Sequence, residues 1–251
     1  MYKLIKNLLI NTFPTNVIYR FEHIFRKLWS ILYMGNSVFC PICAQSFSKF
    51  IEYENGELLC PGCGSIKRKR LLILYLDEVL KIKTKKKRIL HFSPNRQLSK
   101  KMKQLVGNNY IITDYENIQA DKQYDITSID CEKESYDLII CYHVLEHILE
   151  DIKAMNELNR ILDKMGTLLI QVPFKSGEIY EDKSIISPED RLREFGQDDH
   201  VRIYSLNGLI ERLQSVGFNT KSAHCVDIYS EEEIKKYGLN ETEIIVVCTK
   251  Q

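Results

Sequence analysis

Two cysteine pairs, Cys40-Pro-Ile-Cys43 and Cys60-Pro-Gly-Cys63, stand sixteen residues apart. A C-x-x-C turn presents two thiolates from one backbone bend, and two such knuckles at this separation supply the four soft ligands of a tetrahedral zinc ion. Four sulfurs leave no open coordination position, so the ion would be structural. Paired disulfides and a redox-active pair are the competing readings, and both need assumptions that a zinc ribbon does not. The intervening AQSFSKFIEYENGELL reads as a hairpin turning at Asn55-Gly56. A module of about thirty residues cannot hold itself together by its core alone.

A second group of chemistry-bearing residues lies further along. His143-Val144-Leu145-Glu146-His147 fits H-x-x-E-H, the inverted zinc-peptidase pattern, which requires both histidines on one helical face and a third ligand. His143 directly follows the apolar run YDLIICY, which assigns the segment instead to a loop at a strand end. His200 stands in Phe195-Gly196-Gln197-Asp198-Asp199-His200, with Asp198 or Asp199 near enough in sequence to orient it as a general base. It belongs to a long polar segment, 174–204, of the kind that carries function in a compact domain. Arg191, Arg193 and Arg202 in the same segment could hold an anionic group.

These residues need elements to position them. Apolar runs at 88–92, 110–115, 136–142, 166–173 and 243–249 suit strands buried on both faces. Between them, 96–105, 150–162 and 205–215 show helical patterning, the last ending at Val216-Gly217-Phe218. Alternating strands and helices predict a parallel sheet covered on both sides. Ser93-Pro94 reads as a helix start, with serine as cap and proline in the first turn.

With 251 residues, 44% hydrophobic and 27% charged, the chain can bury one large core and a small satellite, which excludes general disorder. The net charge of +1 is unevenly spread: fourteen Lys or Arg fall between residues 64 and 103, against Asp77 and Glu78 alone. Cys131, Cys141, Cys225 and Cys248 sit singly in apolar surroundings and read as buried thiols of a reducing cytosol. The start lacks a clean cleavage site and no run approaches the roughly 20 apolar residues of a membrane span. Val17, Phe21, Ile24, Phe25, Leu28, Ile31 and Leu32 are nevertheless spaced for one helical face, suited to a membrane surface or to the protein's own body. The expected organisation is an amphipathic leader (1–36), a zinc ribbon (37–66), a basic connecting helix (67–86) and an α/β domain (87–251).

The stretch YDLIICYHVLEHILEDIKAMNELNRILDKMGTLLIQVPF resembles the fourth strand, loop, helix and fifth strand of class I S-adenosylmethionine-dependent methyltransferases (methyltransferase type 11-like). Leu90-His91-Phe92-Ser93-Pro94-Asn95 and the later EFGQDDHVRIYSLNGLIERLQSVGF resemble a subfamily with a zinc ribbon in front; the likeness covers about 160 residues. It implies a Rossmann-like, seven-stranded, mostly parallel sheet with helices on both faces, preceded by the small ribbon and the amphipathic N-terminal helix. It also implies an S-adenosylmethionine site built from Phe92, Ser93, Pro94, Asn95, Asp114, Asp125, Ile126, Cys141 and His143. Asp114, at a strand end about twenty residues after the first loop, would take the ribose hydroxyls, and Asp125 would face the adenine amino group. The first loop departs from the family in containing no glycine.

The expected function is methyl transfer from S-adenosylmethionine to a small-molecule or glycan acceptor, with His200 and His143 as catalytic residues and Zn2+ on Cys40, Cys43, Cys60 and Cys63. RNA methylation is the second reading, resting on Lys67-Arg68-Lys69-Arg70 and Lys85-Lys86-Lys87-Arg88; a non-catalytic scaffold is the third. The expected location is cytoplasmic, peripheral to the inner membrane face through the N-terminal helix.

Overall fold

The structure, a computed structural model, describes residues 24–84 and 86–251. Val17, Phe21 and Lys85 therefore lie outside the described residues. The chain divides into two compact units: Met1–Lys81 with His224–Glu243, and Ile82–Ala223 with Ile244–Gln251.

The first unit begins, among the described residues, with a helical stretch at 24–30 and a 3-10 turn Ile31–Tyr33. Strands β1 (Val38–Cys40) and β2 (Gln45–Phe47) form one antiparallel hairpin, and β3 (Ile51–Glu52) and β4 (Leu58–Leu59) form a second, joined by a 3-10 turn Glu54–Gly56 where the sequence placed its turn. Helix α1 (Lys67–Leu74) follows, running into a π-turn at Tyr75–Val79. Arg70, read as part of a basic surface run, is fully buried. Its Nε donates to Tyr237 O (2.7 Å), Nη1 to Leu58 O (3.0 Å) and Ser65 O (2.5 Å), and Nη2 to Gly238 O (2.6 Å), while the guanidinium lies 4.2 Å from the Phe50 ring centre. A buried cation survives because every donor it turns inward finds a carbonyl. Gly238 is required there: its φ is +58°, and a Cβ would stand 2.4 Å from Phe50.

The second unit is built on a six-stranded sheet. In chain order its strands are β5 (Ile89–Phe92), β6 (Tyr110–Thr113), β7 (Tyr136–Tyr142), β8 (Leu162–Gln171), β11 (Phe218–His224) and β12 (Ile244–Lys250). Their spatial order is β11-β12-β8-β7-β5-β6, parallel from β8 through β6 and antiparallel between β12 and β8. Central strands are buried along nearly their whole length, which explains their unbroken Ile and Leu runs. Helix α2 (Arg96–Val106) buries Leu98 and Met102; α3 (Asp151–Ile161) buries Ala154, Met155, Leu158 and Ile161 at helical spacing; α5 (Leu206–Ser215) buries Leu209 and Leu213. Each fully buried Leu or Ile contributes about 1.5–3 kcal/mol.

Two expectations change here. The seventh strand is absent among the described residues: 114–135 holds only isolated bridges, Thr113 with Lys122 and Asp125 with Ser128. Asp114, Asn117 and Asp125 bond backbone amides two or three residues on, and such local bonds compete with a sheet ladder. Asn95, and not Ser93, caps α2, accepting from Leu98 N at 3.0 Å.

His91 is 1% exposed, with Nδ1 2.8 Å from the Tyr110 hydroxyl, and burial pushes its pKa down to about 3. A histidine held neutral in the fold stabilises above its ordinary pKa, about 6.5, and that contribution is lost as pH falls toward the depressed value. Between about pH 7 and about pH 5 the wild type should lose roughly 2 kcal/mol through this group. Denaturant unfolding of His91→Phe at the two pH values should show that much less acid sensitivity; equal slopes would remove His91 as the cause.

Candidate functional site

The carboxyl ends of β5, β6 and β7 open onto a cleft of about 330 Å³, within the range of small-ligand pockets. Phe92 and Ser93 enter it from β5, Asp114 from β6, and Asp125 and Ile126 from the irregular stretch beyond. Ser93 has φ +45°, the left-handed region that a glycine would occupy without strain, and its N–H donates to Thr113 O at 2.8 Å. The backbone thus makes the turn of a glycine-containing loop without the glycine. Asp114 Oδ1 accepts from the amides of Glu116 (3.1 Å) and Asn117 (2.9 Å), which pins the carboxylate at the strand end and leaves Oδ2 for a ligand. Asp125 Oδ1 accepts from the Thr127 amide and hydroxyl, both at 2.8 Å, and these bonds hold its pKa below the usual carboxylate range.

The turn after β7 forms the opposite rim. His143, with φ +54°, donates its amide to Gln171 O, and a 3-10 turn Leu145–His147 follows. Glu146 is 1% exposed; His147 lines the cleft. His200 is 3% exposed, its ring edge-on to His147 at 4.7 Å, and burial lowers its pKa, with His147 adding to the effect. The carboxylate beside the pair lies against the other ring: Asp199 Oδ2 is 3.1 Å from His147 Nδ1.

Segment 174–204 is folded rather than an open loop. It contains β9 (Tyr180–Glu181), α4 (Pro188–Phe195) and β10 (Arg202–Ile203), with β9 and β10 antiparallel. Arg202, a candidate for binding an anion, is consumed structurally: it donates to the carbonyls of Leu145, Ile148 and Leu149 and to Glu181, and so ties this segment to the rim. Glu181 is held at a pKa of about 2, chiefly by Arg212 and then by Arg202. Arg193 pairs with Asp190 and Glu194.

A family model described as a methyltransferase domain matches residues 66–223. The chain belongs to this methyltransferase family. Among solved structures, the Burkholderia thailandensis 1,6-didemethyltoxoflavin-N1-methyltransferase, crystallised with 1,6-didemethyltoxoflavin and S-adenosylhomocysteine, superimposes with TM-score 0.50 at 12% identity over 73% of this chain and 78% of its own. A SAM-dependent methyltransferase from Archaeoglobus fulgidus gives TM-score 0.47 and 14% identity over 75% and 95%. At such identities the likeness is one of fold. An uncharacterized protein of Methanocaldococcus jannaschii is 32% identical over 85 residues, which span 32% of this chain and 37% of that protein.

In this methyltransferase fold, the residues expected around the cofactor separate into two sets. Phe92, Ser93, Asp114, Asp125 and Ile126 line the cleft. Pro94 and Asn95 follow at the helix start, the Asn95 side chain taken up by its cap. Cys141 lies wholly within β7, where burial pushes its thiol well up. His143 is partly buried beside Glu146. Tyr115, Tyr124, Val144, Ile148 and Leu149 also line the cleft and were not singled out from sequence; aromatic and apolar residues directly after strand ends were the available signal. Because His143 directly follows β7 and His147 ends a single 3-10 turn, they do not share a helical face, and the inverted peptidase pattern fails.

In the first unit the four cysteines converge. Cys40 Sγ and Cys63 Sγ are 3.6 Å apart, as are Cys43 and Cys60, and all four sulfurs lie within 4.8 Å of one another. None is in a disulfide. The two 3.6 Å separations suit the edge of a tetrahedron with bonds of about 2.3 Å. Ser65 Oγ lies 3.3 Å from Cys40 and Cys63, and the Cys63 amide donates to Cys60 Sγ at 3.4 Å, contacts that stabilise thiolate charge.

Proposed function

We propose that this chain transfers a methyl group from S-adenosylmethionine to a small-molecule or glycan acceptor. The observation that carries the reading is the pairing, across one cleft, of the left-handed Ser93 turn with the anchored Asp114 carboxylate. The Phe92–Ser93 backbone would approach the amino-acid half of the cofactor, Asp114 would accept the ribose hydroxyls, and Asp125 with Ile126 would face the adenine. The cofactor supplies a methyl group activated on sulfonium. The chain's own task is to align donor and acceptor and to exclude water. His147 and His200, on the rim opposite Asp114, are where an acceptor proton would be removed, and His143, named with His200 from the sequence, stands beside Glu146.

Calorimetry with S-adenosylmethionine tests the reading. Asp114→Ala should weaken binding by about 1.5–3 kcal/mol, the cost of charge-assisted bonds to the ribose. No heat from the wild type at millimolar cofactor would overturn the proposal in favour of a scaffold that keeps only the fold.

A structural Zn2+ on Cys40, Cys43, Cys60 and Cys63 belongs to the same reading, supported by the sulfur geometry. RNA as acceptor is disfavoured by the burial of Arg70, which withdraws one of the four cations at 67–70 from a phosphate backbone. We place the protein in the cytoplasm, against the membrane's inner face. Ile24, Phe25, Leu28, Ile31 and Leu32 are between 44% and 66% exposed, a row of apolar side chains suited to an interface. No helix among the described residues is long and apolar enough to cross a membrane.

A further inference from the structure

The rim opposite Asp114 carries a second set of metal-type donors, chemically unlike the cysteines. One donor atom from each of Glu146, His147 and His200 lies within 4.8 Å of the other two. Glu146 is 1% exposed, and neither of its carboxylate oxygens has a hydrogen-bond partner. His143 Nδ1 comes to 3.1 Å from Glu146 Oε1 without the alignment of a hydrogen bond. His200 Nε2 is buried and unpartnered. His147 Nδ1 lies 3.1 Å from Asp199 Oδ2, so a carboxylate stands against one edge of its ring. His200 thus has an unpartnered ring nitrogen and His147 has an acidic neighbour, the kind of outer-shell carboxylate that accompanies metal-binding histidines.

A buried carboxylate with no donor at either oxygen is expensive unless a cation completes it. We infer that Glu146, His147 and His200 bind one divalent first-row transition ion, of the Zn2+, Fe2+ or Mn2+ class. Two imidazole nitrogens and one carboxylate oxygen suit such an ion and leave coordination positions open. Because His147 lines the cleft, an ion held by it would lie beside the space where an acceptor would sit. The ion would hold an acceptor oxygen there and lower its pKa. That use rests on the methyl-transfer reading; ion binding does not.

The test is Co2+ titration of the full chain after chelator stripping under reducing conditions. Two equivalents should bind: one with the intense near-ultraviolet band of thiolate ligation, and one with weak visible bands alone. Glu146→Gln and, separately, the partly exposed His147→Ala should abolish the second equivalent and leave the first, with far-ultraviolet circular dichroism confirming the fold. Asp199→Ala should weaken the second site by about 10- to 100-fold. Cys60→Ser should weaken only the thiolate site. A wild type that takes up thiolate-bound cobalt alone, or a second equivalent that survives both Glu146→Gln and His147→Ala, would overturn the inference. Occupancy is read without activity, so a chain that binds the ion but no S-adenosylmethionine would sink the methyl-transfer reading and leave this site standing.

Discussion

Cys60→Ser lowers the metal content of the purified chain by one ion per molecule and loosens residues 37–66, while the six-stranded sheet keeps its unfolding transition. The expectation follows from how little else holds the module. Its four strands are two or three residues long, and its buried apolar side chains, Phe47, Phe50, Ile51 and Leu59 among them, are few. A structural zinc ion contributes an apparent 10–16 kcal/mol to small sites of this kind, far more than so small a core supplies. Elemental analysis reads the metal, and hydrogen exchange reads the loosening. Wild-type protein prepared with its thiols reduced and carrying no stoichiometric metal would defeat the zinc assignment.

His200→Ala lowers turnover by about 10² to 10⁴ with little change in cofactor affinity, the range for losing a group that handles the acceptor proton. The separation of effects comes from position. Asp114 lies in the cleft wall, whereas His200 is packed behind His147. Burial keeps its imidazole neutral near pH 7, with a lone pair ready for a proton or an ion. If the ring only supports substrate binding, the Michaelis constant rises and turnover changes little. Unchanged kinetics in both parameters would remove the rim cluster from the reaction.

Much of this was legible because the information was local. Continuous apolar runs marked β5, β6, β7, β8 and β12 to within a few residues, and the C-x-x-C spacing carried the convergence of four sulfurs. Apolar spacing likewise marked α2, α3 and α5. What escaped depends on contacts between distant residues. Two-residue strands such as β9 and β10 have no periodicity to read, so 174–204 shows in the sequence only as a long polar segment. Arg70 and Arg202 looked like surface cations because their carbonyl partners are remote in sequence. Asp199 stands next to His200 in the chain, yet its carboxylate lies against His147, 52 positions away, since adjacent side chains on an irregular backbone need not face each other. The left-handed Ser93 is a further case: the sequence showed a missing glycine, and only the backbone showed that serine makes the same turn.

The first unit is assembled from two stretches far apart in the chain, which sets an order on events at the ribosome. Arg70 is synthesised 167 residues before Tyr237. At about 5–20 residues per second that is a wait on the order of ten to thirty seconds. During it the guanidinium has only the Leu58 and Ser65 carbonyls to bond. The two cysteine knuckles, by contrast, are complete once Cys63 is made. Helix α6 (Glu231–Tyr237) and Gly238 then arrive between β11 and β12, so the first unit is completed just before β12 enters the sheet between β11 and β8. A nascent chain released after β11 would thus leave both units unfinished, and quality control would meet two exposed cores rather than one folded domain with a tail.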